Sequence, residues 1–329
     1  MTEASILKVE DLSTTFRTEH GSVPALTAVS FDIRPGETLA VVGESGSGKS
    51  VTALSIMRLL DRNARIDAAT LSFRRRDGSR AELVRATEKE MRGIRGNEIG
   101  MIFQEPMTSL NPVLTVGDQI GEAVIQHRKM SRGQLRQEVL ELLRLVGIPA
   151  PEHRVDQYPH QMSGGMRQRI MIAVALACRP NLLIADEPTT ALDVTIQAQI
   201  LRLLNRLKAE LGMSILFITH DLAVVSEIAD RVVVMYGGSV LEQGTVDDVL
   251  TRPVHPYTRG LLASLPSGSG ARLKAIRGTV PAPADRPAGC LFAPRCDHAR
   301  ELCEASRPDL TDRGEGHPSR CIRSPELFP

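Results

Sequence analysis

The octapeptide Gly43-Glu44-Ser45-Gly46-Ser47-Gly48-Lys49-Ser50 is the densest concentration of chemistry in the sequence. It fits G-x-x-x-x-G-K-[ST] and sits between an apolar run that reads as a strand, Thr38 to Gly43, and a helix expected to start near Lys49. Glycines let consecutive backbone N–H groups turn toward phosphate oxygens, and the following helix offers its positive end to the same charge. Lys49 then neutralises the β and γ oxygens of a nucleoside triphosphate, and the Ser50 hydroxyl ligates Mg²⁺. A second constellation, LLIADEP, sets Asp186 and Glu187 at the carboxyl end of an expected strand, where α/β sheets place their ligands. Two adjacent acids can divide the labour. Asp186 would hold the Mg²⁺ shell, while Glu187 would orient and deprotonate a water attacking the γ-phosphate in line. Alone, an Asp-Glu pair ending a strand is an ordinary solvated terminus; the phosphate loop gives this one a role.

The elements that must position these groups are legible from periodicity. Alternating segments around Ile6 to Leu12 and Ala28 to Ile33 read as antiparallel strands, Asp77-Gly78 marks a hairpin, and Glu98 to Gln104 reads as another strand. Leu135, Val139, Leu142, Leu143 and Val146 share one helix face, with Gly147 and Pro149 as the stop. Leu182 to Asp186 is a strand, followed by a helix with Ile196, Ile200, Leu203, Leu204 and Leu207 inward; SILFIT and RVVVMY are further strands. Strands alternating with helices imply an α/β core with a parallel sheet, interrupted by a mostly helical insertion from about 106 to 171. From about Pro266 the texture turns to Pro, Gly and Ser, which places a linker and a small module over 266–329, after a main domain of 1–265.

Composition narrows the class. Of 329 residues 42% are hydrophobic, enough for a substantial core, and 40 Lys plus Arg against 39 Asp plus Glu leave no field that would favour nucleic acid. Aromatics are 3% and Trp is absent, which removes the stacking platforms of a single-strand binder. No apolar stretch approaches the roughly 20 residues of a membrane span. The N-terminus lacks a signal-peptide pattern, so a cytoplasmic protein is expected. Four of five cysteines, Cys290, Cys296, Cys303 and Cys321, crowd the tail, and in a reducing compartment this suggests metal before disulfides. Zn²⁺ sites usually pair cysteines two to four residues apart, closer than here, whereas iron–sulfur clusters accept four thiolates from looser loops. Cluster, zinc and free or disulfide-bonded thiols all stay open, in that order of preference. The tail is expected to need such a cross-link to hold its shape, and Cys178 to be a separate, small buried residue on the helix that begins near Ser163.

With these residues in place the chain resembles the ABC ATPases. Met162 to Arg169, MSGGMRQR, is similar to their signature motif, with Met166 replacing the usual Gln. Gln104 resembles the Q-loop, Ala191-Leu192-Asp193 the D-loop and His220 the switch histidine. The resemblance implies an ABC-type P-loop ATPase core with an antiparallel β subdomain, a helical insertion and a small C-terminal Cys-rich extension. It implies ATP held by Gly43, Ser45, Gly46, Ser47, Gly48, Lys49 and Ser50, with Mg²⁺ on Ser50, Gln104 and Asp186. Catalysis falls to Glu187, His220 and Gln104, while Ser163, Gly164 and Gly165 face the nucleotide of an opposing subunit and Asp193 is a further nucleotide-binding residue. Phe16 sits where an aromatic stacks on adenine, and a core role for it is an equal alternative.

More narrowly, VGESGSGKS, IFQEPMTSLNP, SGGMRQRIMIA and the closing HPYTRGLLASLP and GCLFAPRC are similar to ATP-binding subunits of oligopeptide and dipeptide importers. That likeness implies a peripheral subunit on the cytoplasmic face of the inner membrane. Its partners would be a second, related ATPase, two membrane permeases and an extracytoplasmic solute-binding protein, with no nucleic acid. It also points to a 4Fe-4S cluster on the four tail cysteines. Nickel, glutathione or sugar importers share the architecture, and a non-transport ABC ATPase is the more distant alternative. Gln104 to Ile125, with Met107, Leu110 and Leu114, is the candidate for receiving a permease helix, against the alternative that these residues pack inside the helical insertion.

Overall fold

The computed structural model describes residues 5–19, 21–104, 109–190, 192–265, 275–312 and 316–328. Two long strands open it, β1 (Leu7–Thr18) and β2 (Gly21–Ile33), paired antiparallel. They form a sheet with β4 (Ala64–Asp67), β5 (Thr70–Arg74) and β6 (Arg80–Glu82), all antiparallel. The second sheet is built on five adjacent strands, β10 (Arg231–Tyr236), β3 (Thr38–Val42), β9 (Ser214–Thr219), β8 (Leu182–Asp186) and β7 (Ile99–Ile102), parallel throughout. Beyond β10 it continues antiparallel through β11 (Ser239–Thr245), β13 (Pro318–Ser319) and β12 (Thr311–Asp312).

Why the central strands are continuous apolar runs is clear from their two faces. On β8, Leu183 and Ala185 join a core beneath the helices, while Leu182 and Ile184 join the core shared with the antiparallel sheet; on β9, Ile215 and Phe217 part from Leu216 and Ile218 in the same way. Side chains alternate every residue, so a strand covered on both sides has no polar face to show. The helices over the first core are Val116–Ile125, Arg132–Leu145, Gly164–Ala175 and Val194–Leu211. Their starts are written in the sequence: Thr115, Ser131, Ser163 and Asp193 each accept a hydrogen bond from the backbone N–H three residues on. Gly147, at φ +73°, lies just past the second of these helices, where the left-handed region favours glycine.

Three expectations need correction. Leu110 is buried in the core beneath the helices, so it is not part of a docking face, Leu114 is half-buried, and Met107 lies outside the described residues. Cys178 is buried, but it stands past the end of its helix at Ala175. The tail is not held by a cross-link alone. Strand β13 hydrogen-bonds to β11, and Leu291 and Phe292 enter a third core with Val232, Val234, Tyr236 and Tyr257. The Phe292 ring meets those of Tyr236 and Tyr257 at centroid distances of 5.5 and 5.3 Å.

Candidate nucleotide site

The phosphate loop leaves β3 and runs into the helix Lys49–Met57. Gly43 is required by close approach: a β-carbon there would sit 2.2 Å from the Met235 carbonyl oxygen. Gly48, at φ +101°, occupies the N-cap position without any side-chain cap, and the first turn carries no acid. The helix therefore presents uncapped N–H groups and an undiminished positive end to the loop. Lys49 curls back, its Nζ donating to the carbonyls of Gly43 at 2.8 Å and Glu44 at 3.1 Å. Burial lowers the Lys49 pKa, opposed by the charges of Glu187, Asp186 and Glu44. Ser47 is fully buried, and its hydroxyl has no hydrogen-bond partner among the described residues.

Opposite the loop, Ser50 Oγ donates to Asp186 Oδ1 at 3.1 Å. Burial raises the Asp186 pKa, and the neighbouring Glu187 adds to the rise. The pair supplies a hydroxyl and a carboxylate oxygen at one point, a donor set that suits a hard cation such as Mg²⁺. Glu187 follows at φ +46°, its N–H donating to the Ile218 carbonyl at 2.9 Å. Its Oε2 accepts from Thr190 Oγ1 at 2.9 Å and Gln104 Nε2 at 3.3 Å and lies 3.2 Å from His220 Nδ1; its Oε1 is 4.0 Å from Lys49 Nζ. Burial alone would raise the Glu187 pKa, but hydrogen bonds from Thr190 and His220 and the charges of His220 and Lys49 bring it below the ordinary carboxylate value. Glu187 is thus held ionised at neutral pH, as a proton acceptor must be.

Lys49, Ser50, Asp186, Glu187, Gln104 and His220 therefore form one cluster. Gln104 reaches Glu187 and makes no hydrogen bond to Ser50 or Asp186 among the described residues. Ser163, Gly164 and Gly165 open the helix Gly164–Ala175 at the surface, and Asp193 caps the next helix through Ile196 N at 2.9 Å. None of these four is hydrogen-bonded to Lys49, Asp186 or Glu187 among the described residues, and Ala191 lies outside them. Phe16 is half-buried on β1, between Val23 and Ala64 in register. Sequence reasoning missed Thr190, which holds Glu187, and Gln168, whose buried amide donates to the Pro188 carbonyl and so ties the Gly164–Ala175 helix to the turn after Glu187. A Thr three residues after an acid at a strand end is a readable local signal; Gln168 has none.

Cys290, Cys296, Cys303 and Cys321 line one cavity. No group of three or more His, Cys, Asp or Glu among the described residues is arranged to hold a metal ion. Burial raises the pKa of Cys290 and Cys296 and pushes Cys321 up to about 11. The backbone at Phe292, His298 and Arg323, two residues after each of these cysteines, hydrogen-bonds the sulfur and offsets part of the rise.

The model of the family described as ABC transporter matches residues 26–190, and that described as oligopeptide/dipeptide transporter, C-terminal region, matches 241–303. A putative peptide import ATP-binding protein of Brucella ovis is 54% identical over 99% of both chains. A dipeptide transport ATP-binding protein of Bacillus subtilis is 53% identical over 96% of this chain and 94% of its own. Among solved structures, an ATP-binding cassette dimer in a post-hydrolysis state with ADP and Pi superimposes with a TM-score of 0.62 at 29% identity, over 73% of this chain and 98% of that one. The chain belongs to the ABC transporter family, as an ATPase that carries the oligopeptide/dipeptide transporter C-terminal region.

Proposed function

We propose that the chain hydrolyses ATP to drive import of oligopeptides or dipeptides through separate permease subunits. The observation that carries the catalytic half is Glu187: an ionised carboxylate fixed by Thr190, Gln104 and His220 within 4.0 Å of the Lys49 ammonium. Lys49 and the loop amides bind the β and γ phosphates, and Glu187 accepts the proton of the attacking water. His220 and Gln104 orient that carboxylate. Mg²⁺, held by Ser50 and Asp186 with Gln104 alongside, supplies neutralisation of phosphate charge when bound. Ser163, Gly164 and Asp193, exposed at helix starts, and the half-buried Gly165 serve the nucleotide of an opposing subunit. The dimeric cassette solved with ADP and Pi supports that arrangement.

The peptide half rests on the names of the relatives and on the C-terminal match over 241–303. It implies a second related ATPase, two permeases, an extracytoplasmic solute-binding protein and attachment to the cytoplasmic face of the inner membrane. No helix among the described residues is long and apolar enough to cross a membrane, so the spanning partners lie elsewhere in this reading. Among the described residues of 104–125, Val113 and Ile125, 74% and 52% exposed, are the large apolar residues most open to a permease contact. Uptake of labelled di- and oligopeptides by a strain lacking this chain tests the substrate. Restored peptide uptake on complementation supports the reading; restored uptake of nickel, glutathione or sugar alone rejects it.

For the tail, main domain 1–265 and extension 266–329, we infer a 4Fe-4S cluster on Cys290, Cys296, Cys303 and Cys321, with Zn²⁺ as the competing occupant. What supports it is the shared cavity, where backbone hydrogen bonds at three sulfurs offset part of the burial that favours the thiol. Its contribution is structural.

A further inference from the structure

We propose that Arg295, in the C-terminal extension, is a positioning residue for the phosphate loop: it neutralises Glu44 and holds that carboxylate away from the phosphates. The loop binds polyanions, yet it contains an acid at its second position. An unpaired Glu44 would repel phosphate and compete for Lys49, whose Nζ already contacts the Glu44 carbonyl at 3.1 Å.

Arg295 answers both problems. Its guanidinium grips Glu44 bidentately, Nη1 to Oε2 at 2.5 Å and Nη2 to Oε1 at 3.0 Å. The remaining N–H groups are all used: Nε donates to the Arg277 carbonyl at 2.6 Å, Nη2 to the Gly278 carbonyl at 3.2 Å and Nη1 to the Tyr236 hydroxyl at 3.3 Å. Five donors with five acceptors, on a side chain only 5% exposed, leave the fork a single orientation. Tyr257, buried in the same core, completes the clamp by accepting the Glu44 N–H at its hydroxyl at 3.0 Å. Glu44 is thereby fixed at its side chain and its amide by residues outside the loop. Its carbonyl is left to Lys49 and to the Ser47 N–H. A long surface ion pair would contribute little, but a bidentate one whose guanidinium is buried with every donor satisfied, facing a partly exposed carboxylate, is of the stronger kind.

This rests on the assignment of Gly43–Ser50 as the nucleotide loop, so Lys49→Ala is run beside it. A fluorescent ATP analogue with Mg²⁺ is titrated into the full chain and into Arg295→Met, Glu44→Gln and the double variant, with folding checked by thermal unfolding. Arg295→Met is expected to weaken binding about tenfold, the loss of a charge-assisted pair acting through a neighbour. The double variant is expected to return to within about threefold of the parent, since a neutral Glu44→Gln side chain needs no counter-charge. A merely structural Arg295 would show no such rescue. Binding by folded Arg295→Met within about twofold of the parent, or failure of Glu44→Gln to restore it, overturns the proposal. If Arg295→Met does not fold, Arg295→Lys with and without Glu44→Gln is judged by the same rescue. Unchanged binding in Lys49→Ala would instead overturn the loop assignment itself.

Discussion

The nucleotide site and the cysteine chamber are both buried clusters of chemically active groups, but they are stabilised in opposite ways. In the nucleotide site every charge has a counter-charge or donor: Lys49 faces Glu187, Asp186 and Glu44, and Glu187 faces Thr190, Gln104 and His220. Such a cluster is assembled by the fold itself and waits for its ligand. In the chamber four thiols line one cavity, and burial holds Cys290, Cys296 and Cys321 toward the protonated form, only partly offset at Cys290 by the charge of Arg307. A site of that kind gains its full stability only when a positively charged guest takes the protons' place.

The sharpest way to break the first half of the contrast is Glu187→Gln. The amide keeps the hydrogen bonds' shape but cannot accept a proton, so phosphate release by the assembled transporter should fall by about 10²- to 10⁴-fold while ATP binding is retained. Near-normal release would remove Glu187 as the base. The second half is tested by anaerobic purification. The chain should emerge brown, absorbing near 400 nm, with about four irons, and chelation should lower unfolding stability by roughly 2–4 kcal/mol, as expected for a guest bound far above its dissociation constant. A colourless, zinc-loaded chain would overturn the cluster and keep the four-thiol site. A metal-free chain of equal stability would overturn both. Of intermediate size is Lys49→Ala, which deletes the proposed phosphate contact and should weaken ATP binding by about 10- to 100-fold. Unchanged affinity would contradict the phosphate-loop assignment.

Legibility followed the same divide. The glycine pattern, the acid pair and the helix caps are local in sequence, and the structure brings Lys49, Ser50, Asp186 and Glu187 together as their spacing implies. What sequence could not carry was contact between distant segments. Arg295 is 251 residues from the Glu44 it grips. Leu110 gives no sign that it turns inward, because an apolar residue in a loop fits either surface or core. Nor does sequence show that the tail's few large apolar residues, Leu291 and Phe292, are buried against Tyr236 and Tyr257, which is why a cross-link is expected there from composition alone.

The smallest expected effect lies at Phe16, where sequence left core and adenine stack equally open. Phe16 is half-buried on β1, and on that strand Leu7, Val9 and Leu12 are the apolar residues that enter the core. Its ring is thus available for a ligand, while its backbone remains tied to Val23 and Ala64. Base stacking on an aromatic is worth about 1–3 kcal/mol by alanine substitution, and a ring on only one face of the base falls at the lower end. Phe16→Ala should therefore weaken ATP binding about fivefold and leave unfolding stability within about 1 kcal/mol, whereas removing a core Phe costs roughly 3–5 kcal/mol. Phe16→Tyr should restore binding, because the stacking face is kept. Titration of inorganic triphosphate separates the terms further: a stacking role predicts that Phe16→Ala leaves triphosphate affinity unchanged, while Lys49→Ala weakens both ligands. A large stability loss in Phe16→Ala without selective loss for the adenine-bearing ligand would return the residue to the core.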